Sequence, residues 1–82
     1  MAKTDEELKE YLLRTLKRVA PEADVTHLHP EKNLRRQMKI DSLDFLKIVL
    51  IIHDETGYSV PETDYRKLFT WNGLMDYFRG KI

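Results

Sequence analysis

Ser42 is the side chain of this sequence whose surroundings are best suited to chemistry. It stands in Ile40-Asp41-Ser42-Leu43-Asp44, where Asp41 suits a helix N-cap and Asp44 the third helical position. A serine at the first position of a helix lies beside unpaired backbone N–H groups and the positive end of the helix dipole. Both favour a phosphate there. Asp-Ser is also an ordinary helix start, and spacing alone favours that plainer reading. A nucleophilic serine would need a base within hydrogen-bond reach and donors for an oxyanion. His53 lies roughly 16 Å further along the helix axis, and no Gly-x-Ser-x-Gly elbow is present. His27 and His29 fall in a long loop. Ser42 therefore reads as a residue acted upon, and no catalytic residue is assigned. His27-x-His29 has metal-compatible spacing, but two ligands do not make a site, and no metal is expected. His53, near a helix C-terminus, reads as a surface residue.

The elements that must position this serine follow from periodicity. Thr4-Asp5-Glu6-Glu7 has the form of a capping box. Leu8, Leu12, Leu16 and Val19 then share one face of a helix from about Asp5 to about Ala20, which Pro21 ends. Residues 21–39 lack a sustained period; Leu28 and Leu34 are their expected anchors, with a short helical turn near Pro30–Leu34. A second helix, capped by Asp41, runs to about Glu55, and Gly57 suits the left-handed residue that closes it. Phe45, Leu46, Ile48, Val49 and Ile52 share its broad apolar face, with Asp44, Lys47, Asp54 and Glu55 opposite. Leu43 and Leu50 sit at the boundary, and Ile51 points to the polar side. This helix has more apolar surface than one core-facing stripe requires. Pro61 leads into a short helix from about Glu62 to Leu68, proline being acceptable in a first turn. Thr70 caps a last helix with Trp71, Leu74, Met75 and Phe78 at helical spacing, ended by Gly80. Leu12, Val49, Leu68 and Phe78 are expected to be the most buried residues of their helices. The fold class is all-α, a small irregular bundle of three longer helices and one short one with a long first loop.

Composition limits the function classes. In 82 residues, 41% are hydrophobic and 34% charged, which is globular rather than disordered composition. Fourteen Lys+Arg balance fourteen Asp+Glu, so no footprint for a nucleic acid appears. Without cysteine there is no disulfide, thiolate metal site or cysteine nucleophile. The longest apolar run, Ile48–Ile52, is far too short for membrane insertion, and the charged Met1–Glu10 segment does not read as a secretory leader. The expectation is one domain over residues 1–82, cytoplasmic and monomeric, stable on packing alone by about 4–12 kcal/mol.

Asp41-Ser42-Leu43-Asp44 followed by an apolar helix resembles the 4′-phosphopantetheine attachment site of acyl carrier proteins. Upstream, Leu34-Arg35-x-Gln37-Met38-x-Ile40 resembles the family's approach to that serine. Downstream, Glu55-Thr56-Gly57-Tyr58-Ser59-Val60-Pro61 resembles its helix exit, and Thr70-Trp71-x-x-Leu74-x-Asp76-Tyr77-Phe78 its last helix. The likeness covers nearly the whole chain, is weaker over residues 1–28, and preserves the order of the elements. It implies a four-helix acyl-carrier-like bundle that is not an enzyme. By the same resemblance, Ser42 would receive 4′-phosphopantetheine from coenzyme A through a phosphopantetheinyl transferase, with Asp41 as supporting cap. The arm's thiol would carry acyl groups as thioesters, in fatty-acid or a specialised lipid or polyketide biosynthesis. Partners would be acyl-transfer, ketosynthase, reductase or dehydratase-type enzymes, met by Leu43, Asp44, Lys47, Leu50, Ile51 and Asp54.

One departure is informative. Acyl carrier proteins are usually strongly acidic, with glutamates along this helix. Here Lys47 stands where an acid is usual, and Arg35, Arg36 and Lys39 precede the serine. Two rival readings stand beside the acyl carrier: a peptidyl or aminoacyl carrier domain, and a helical interaction or DNA-binding module using its exposed apolar helix or the Arg35/Arg36/Lys39 cluster, with zero net charge arguing against DNA.

Overall fold

The computed structural model describes residues 2–82; Met1, the first residue of the charged N-terminal segment, lies outside them. Helix α1 spans Asp5–Val19. Its capping box closes as its sequence predicts: Thr4 Oγ1 accepts from the Glu7 N–H at 3.2 Å, and the Thr4 N–H donates to Glu7 Oε1 at 3.0 Å. The helix ends one residue before the expected position, because Ala20 leaves helical geometry as the C-cap ahead of Pro21.

Helix α2 spans Leu34–Met38. It begins where the helical turn near Pro30–Leu34 was expected to end. Asn33 causes the shift: its side chain caps the Arg36 N–H at 3.0 Å, so the helix starts at Leu34. Helix α3 spans Ser42–Thr56 and closes at Gly57, which takes the left-handed φ of 78°. Residues Glu62–Leu68 wind as a 3-10 helix rather than an α-helix, with Pro61 at its N-cap instead of inside its first turn. Helix α4 spans Trp71–Phe78, capped by Thr70 and ended at Arg79, one residue before Gly80. All regular elements among the described residues are helical, four of them seven residues or longer. The bundle is all-α as its periodicity implies.

Helix α1 packs on α3 and α4, and α4 on the 3-10 helix. The core joins Leu8, Leu12 and Leu16 of α1 to Phe45, Ile48 and Ile52 of α3, with Leu68, Leu74 and Phe78 from the last elements. Burial of that apolar surface is what holds so small a chain together. Val49 is buried, but Ile52 and Ile48 lie deeper on the same helix. The expected ranking of Val49 as the most buried residue of α3 is corrected accordingly. Trp71 and Leu28 are half-buried against the core rather than inside it. Tyr77, absent from the expected apolar repeat, is buried, and its hydroxyl donates to Asp64 Oδ2 at 2.8 Å.

The long first connection is fixed by backbone bonds. The Leu34 N–H donates to the Phe69 carbonyl at 2.8 Å and the Asn72 N–H to that of Pro30 at 3.0 Å. Gln37 closes the same loop from inside: its Nε2 donates to the carbonyls of His29 and Lys32, and its Oε1 accepts from the His29 N–H. At the far end of α3, Glu55 accepts from Tyr11 Oη at 2.8 Å and pairs with Arg18 at 3.0 Å. The Tyr11 bond, followed by Arg18, holds the Glu55 carboxyl below its ordinary range. These contacts fix the C-terminal end of α3 against α1.

Candidate functional site: the N-terminus of helix α3

Two short turns of backbone present Ser42. Lys39 takes a left-handed conformation, φ 57° and ψ 43°, and the Ile40 N–H returns to the Arg35 carbonyl at 3.1 Å. A non-glycine residue there costs about 1–3 kcal/mol, and in return the chain reverses directly from α2 into α3. Ile40 is half-buried against the core, which anchors the reversal. Asp41 is extended, and its Oδ1 accepts from the Asp44 N–H at 2.9 Å. The Phe45 N–H donates to the Asp41 carbonyl at 3.1 Å. Ser42 is then the first residue of a fifteen-residue helix, and it is exposed.

Among the described residues the Ser42 hydroxyl has no hydrogen-bond partner, nor have the N–H groups of Ser42 and Leu43. Two free donors at the positive end of a helix dipole, beside an exposed hydroxyl, suit a phosphodiester oxygen. A phosphate-bearing group therefore fits the residues present. None of the three histidines bonds to Ser42. His27 Nδ1 instead lies 2.8 Å from Asp24 Oδ2 in an exposed loop. The bonds from Thr26 and then His27 hold the Asp24 carboxyl well below its usual range. His29 Nδ1 accepts from the Glu31 N–H at 3.2 Å. His53 is exposed on α3.

The residues expected to meet partners are brought together along α3. At 3.6 residues per turn, Leu43, Lys47, Leu50 and Asp54 fall within about 60° of one another. Leu43 is 66% exposed and Leu50 50%; Lys47 and Asp54 are exposed, while Asp44 and Ile51 are half-buried at one edge. Leu46 departs from the sequence reading. It is 36% exposed and flanks Leu43 and Leu50. The five aliphatic and aromatic positions assigned to one face span too wide an arc for the neighbouring helices to cover, and Leu46 lies at its edge. Counting the angle from Phe45, Ile48 and Ile52 would have found it.

The charge on this face differs from its linear pattern. Lys47 Nζ lies 3.5 Å from Asp44 Oδ1, one turn apart, so the lysine offsets the first acid of the helix. Such an exposed pair contributes about 0–1 kcal/mol, but it makes the upper part of the face electrically neutral. Arg35 is half-buried, Arg36 and Lys39 are exposed, and none of them forms an ion pair among the described residues.

The model of the phosphopantetheine attachment site family matches residues 6–77, from the first turn of α1 to the last turn of α4. An acyl carrier protein of Myxococcus xanthus is 28% identical over 75 residues, covering 88% of this chain and 95% of that relative. An acyl carrier protein of Thermosynechococcus vestitus is 26% identical over 53 residues, 65% of each chain, so the match spans a little under two thirds of its length. With the family model matched across nearly the whole helical bundle, this chain belongs to the phosphopantetheine attachment site family.

Proposed function

We propose that Ser42 is the attachment residue and that the chain, acting as one domain, is an acyl carrier protein of a dedicated lipid or polyketide pathway. Family membership makes the chain a carrier rather than an enzyme, with covalent 4′-phosphopantetheine as its cofactor. The observation that supports the residue assignment is an exposed hydroxyl at the start of α3 beside two unpartnered N–H groups. In the attachment step, a bond forms between Ser42 Oγ and phosphorus, and the pyrophosphate bond of coenzyme A breaks. The nucleotide leaves as 3′,5′-ADP. The serine proton passes to the phosphopantetheinyl transferase, since among the described residues no base bonds to Ser42. When attached, the arm supplies a thiol that carries acyl groups as thioesters. Asp41 keeps the first turn of α3 formed, so that Ser42 is offered in one geometry, and the free N–H groups receive the phosphate charge.

The acyl role is supported by the curated relatives named acyl carrier protein. The partner face is read as Leu43, Leu46 and Leu50, edged by Asp44, Lys47, Ile51 and Asp54. Acyl-transfer, ketosynthase, reductase or dehydratase-type enzymes are the partner classes, and a neutral upper face favours enzymes without a strongly basic docking patch. Among the described residues no helix is long and apolar enough to cross a membrane.

The test is to isolate the modified protein from its own cells, release its cargo by thioester cleavage and identify it by mass. Fatty or polyketide acyl groups are expected. Amino acids or peptides would overturn the acyl assignment in favour of an aminoacyl carrier.

A further inference from the structure

We propose that the cleft between α1, the loop of residues 25–30 and Trp71-Asn72 binds a small free carboxylate with an aliphatic body, at a site separate from Ser42. The cleft measures about 530 Å³, within the ordinary range of small-molecule sites. Leu13, Val25, Leu28 and Trp71 form its walls, with Lys9 and Asn72 exposed at its rim. No residue of α3 lines it, so the proposal does not depend on which residue carries the arm.

The lining sets the chemistry of the occupant. Val25, Leu28 and Trp71 are half-buried, packed on the core from one side and lining the cleft on the other. An aliphatic body covering them removes apolar surface from water, which is favourable in proportion to its area. The polar groups at the rim are free to donate. Among the described residues the Lys9 ammonium forms no ion pair, although Glu6 and Glu10 stand near it in α1. The Asn72 side-chain amide likewise makes no hydrogen bond within the described residues. No carboxylate lines the cleft; Asp24 and Glu31, which flank the loop in sequence, are both outside the lining. Asp24 is engaged elsewhere, accepting from Thr26 Oγ1 at 2.6 Å and lying 2.8 Å from His27 Nδ1. An ammonium and an amide N–H over apolar walls are the donors that a carboxylate needs. A cationic head would meet Lys9 as a like charge, and an alcohol would leave its charge uncompensated.

The cleft is formed in advance of any ligand. Residues 20–33 are a long irregular connection of the kind that compact domains keep mainly for function. The Thr26 N–H bonds to Asp24 Oδ1 at 2.9 Å, and the Pro30 carbonyl accepts from the Asn72 N–H at 3.0 Å. These bonds tie the loop to itself and to α4. A wall fixed in this way loses little freedom when a ligand settles on it.

Trp71 is the single tryptophan of the chain, so its fluorescence reports on the cleft directly. Decanoate, decanol and decyltrimethylammonium, each titrated below its micelle concentration, are the probes, and amide spectra of 15N-labelled protein locate the binding. The expected result is a saturable change in Trp71 emission with decanoate, with amide shifts centred on Leu13, Val25 and Leu28. Decanol should bind more weakly and the cation most weakly. Lys9 is exposed, so Lys9→Gln stays folded; it should weaken decanoate binding by about two- to fivefold, the size of one exposed ion pair, and leave decanol unchanged. Four results would each overturn the site: no saturable change, equal affinities for the three probes, an unaltered decanoate affinity in Lys9→Gln, or shifts centred along α3. None of them bears on the assignment of Ser42.

Discussion

Replacing Asp41 separates the geometric role of the site from its charge. The Asp41 carboxylate makes one defined bond, to the Asp44 N–H at 2.9 Å, and the residue is exposed. Loss of an N-cap of this kind costs about 0.5–2 kcal/mol, typically about 1. Set against a total of about 4–12 kcal/mol for a chain of this length, Asp41→Ala leaves the protein folded. A loss of about 1 kcal/mol lowers the melting temperature of a domain of this size by about 4–8 °C. Asp41→Asn keeps an oxygen acceptor and should stay within about 2 °C of the parent, since asparagine and aspartate cap almost equally well. The functional readout is the rate of phosphopantetheine attachment at a temperature where all three proteins are folded. Fraying of the first turn in Asp41→Ala leaves Ser42 in several geometries, so its rate should fall further than that of Asp41→Asn. Identical melting of Asp41→Ala and parent would refute the capping account. Equal rate losses in Ala and Asn would show that charge, not the cap, is what the transferase reads.

Three further outcomes are expected. A Cβ at Gly73 would collide with the Lys67 carbonyl oxygen and approach Thr70 Oγ1 to 3.0 Å; Gly73→Ala should cost about 1–3 kcal/mol in denaturant unfolding, although sequence propensity favours alanine in a helix. Lys47→Glu leaves Asp44 unpaired and turns the face acidic, so attachment or acyl transfer by generic fatty-acid synthase enzymes should speed up at low salt and lose that gain at high salt; equal rates at low salt would remove Lys47 from partner recognition. Burial first, then the bond to Glu55, pushes the Tyr11 hydroxyl from its ordinary value of 10.0 up to about 12. Its stabilising contribution is therefore complete below pH 10 and lost as the pH rises through about 12. Tyr11→Phe should flatten that part of the alkaline unfolding profile, and an unchanged profile would contradict it.

Much of the bundle is legible in the sequence because its signals are local. The Thr4–Glu7 capping box, the Asp41 and Thr70 caps and the Gly57 closure depend on neighbours within four residues, and each stands where its sequence puts it. The serine at the start of an apolar helix is equally local. The remaining features depend on contacts between distant segments. The left-handed Lys39 carries no glycine signal; it is imposed by the need to join α2 directly to α3. The close approach of Gly73 to Lys67 reflects the packing of α4 on the 3-10 helix. The Asp44–Lys47 pair, by contrast, is local, since the helix places Asp44 one turn before the lysine. The groove between the end of α1 and the turn from α2 to α3 is assembled from residues 19–24, 37–40 and 44, and no one of those segments has a pattern that announces it. Leu46 is different: its exposure was available from the helical angle.

Ser42 alone is expected to receive the arm. Intact mass spectrometry of the parent and of Ser42→Ala, each incubated with coenzyme A and a broad-specificity phosphopantetheinyl transferase, tests it most directly. Asp41 still caps α3 in the variant, so both proteins should be folded by circular dichroism. The parent should gain the mass of one phosphopantetheine group and Ser42→Ala none. A parent that gains no mass, or a variant that gains the same adduct as the parent, would rule out Ser42 as the sole attachment residue.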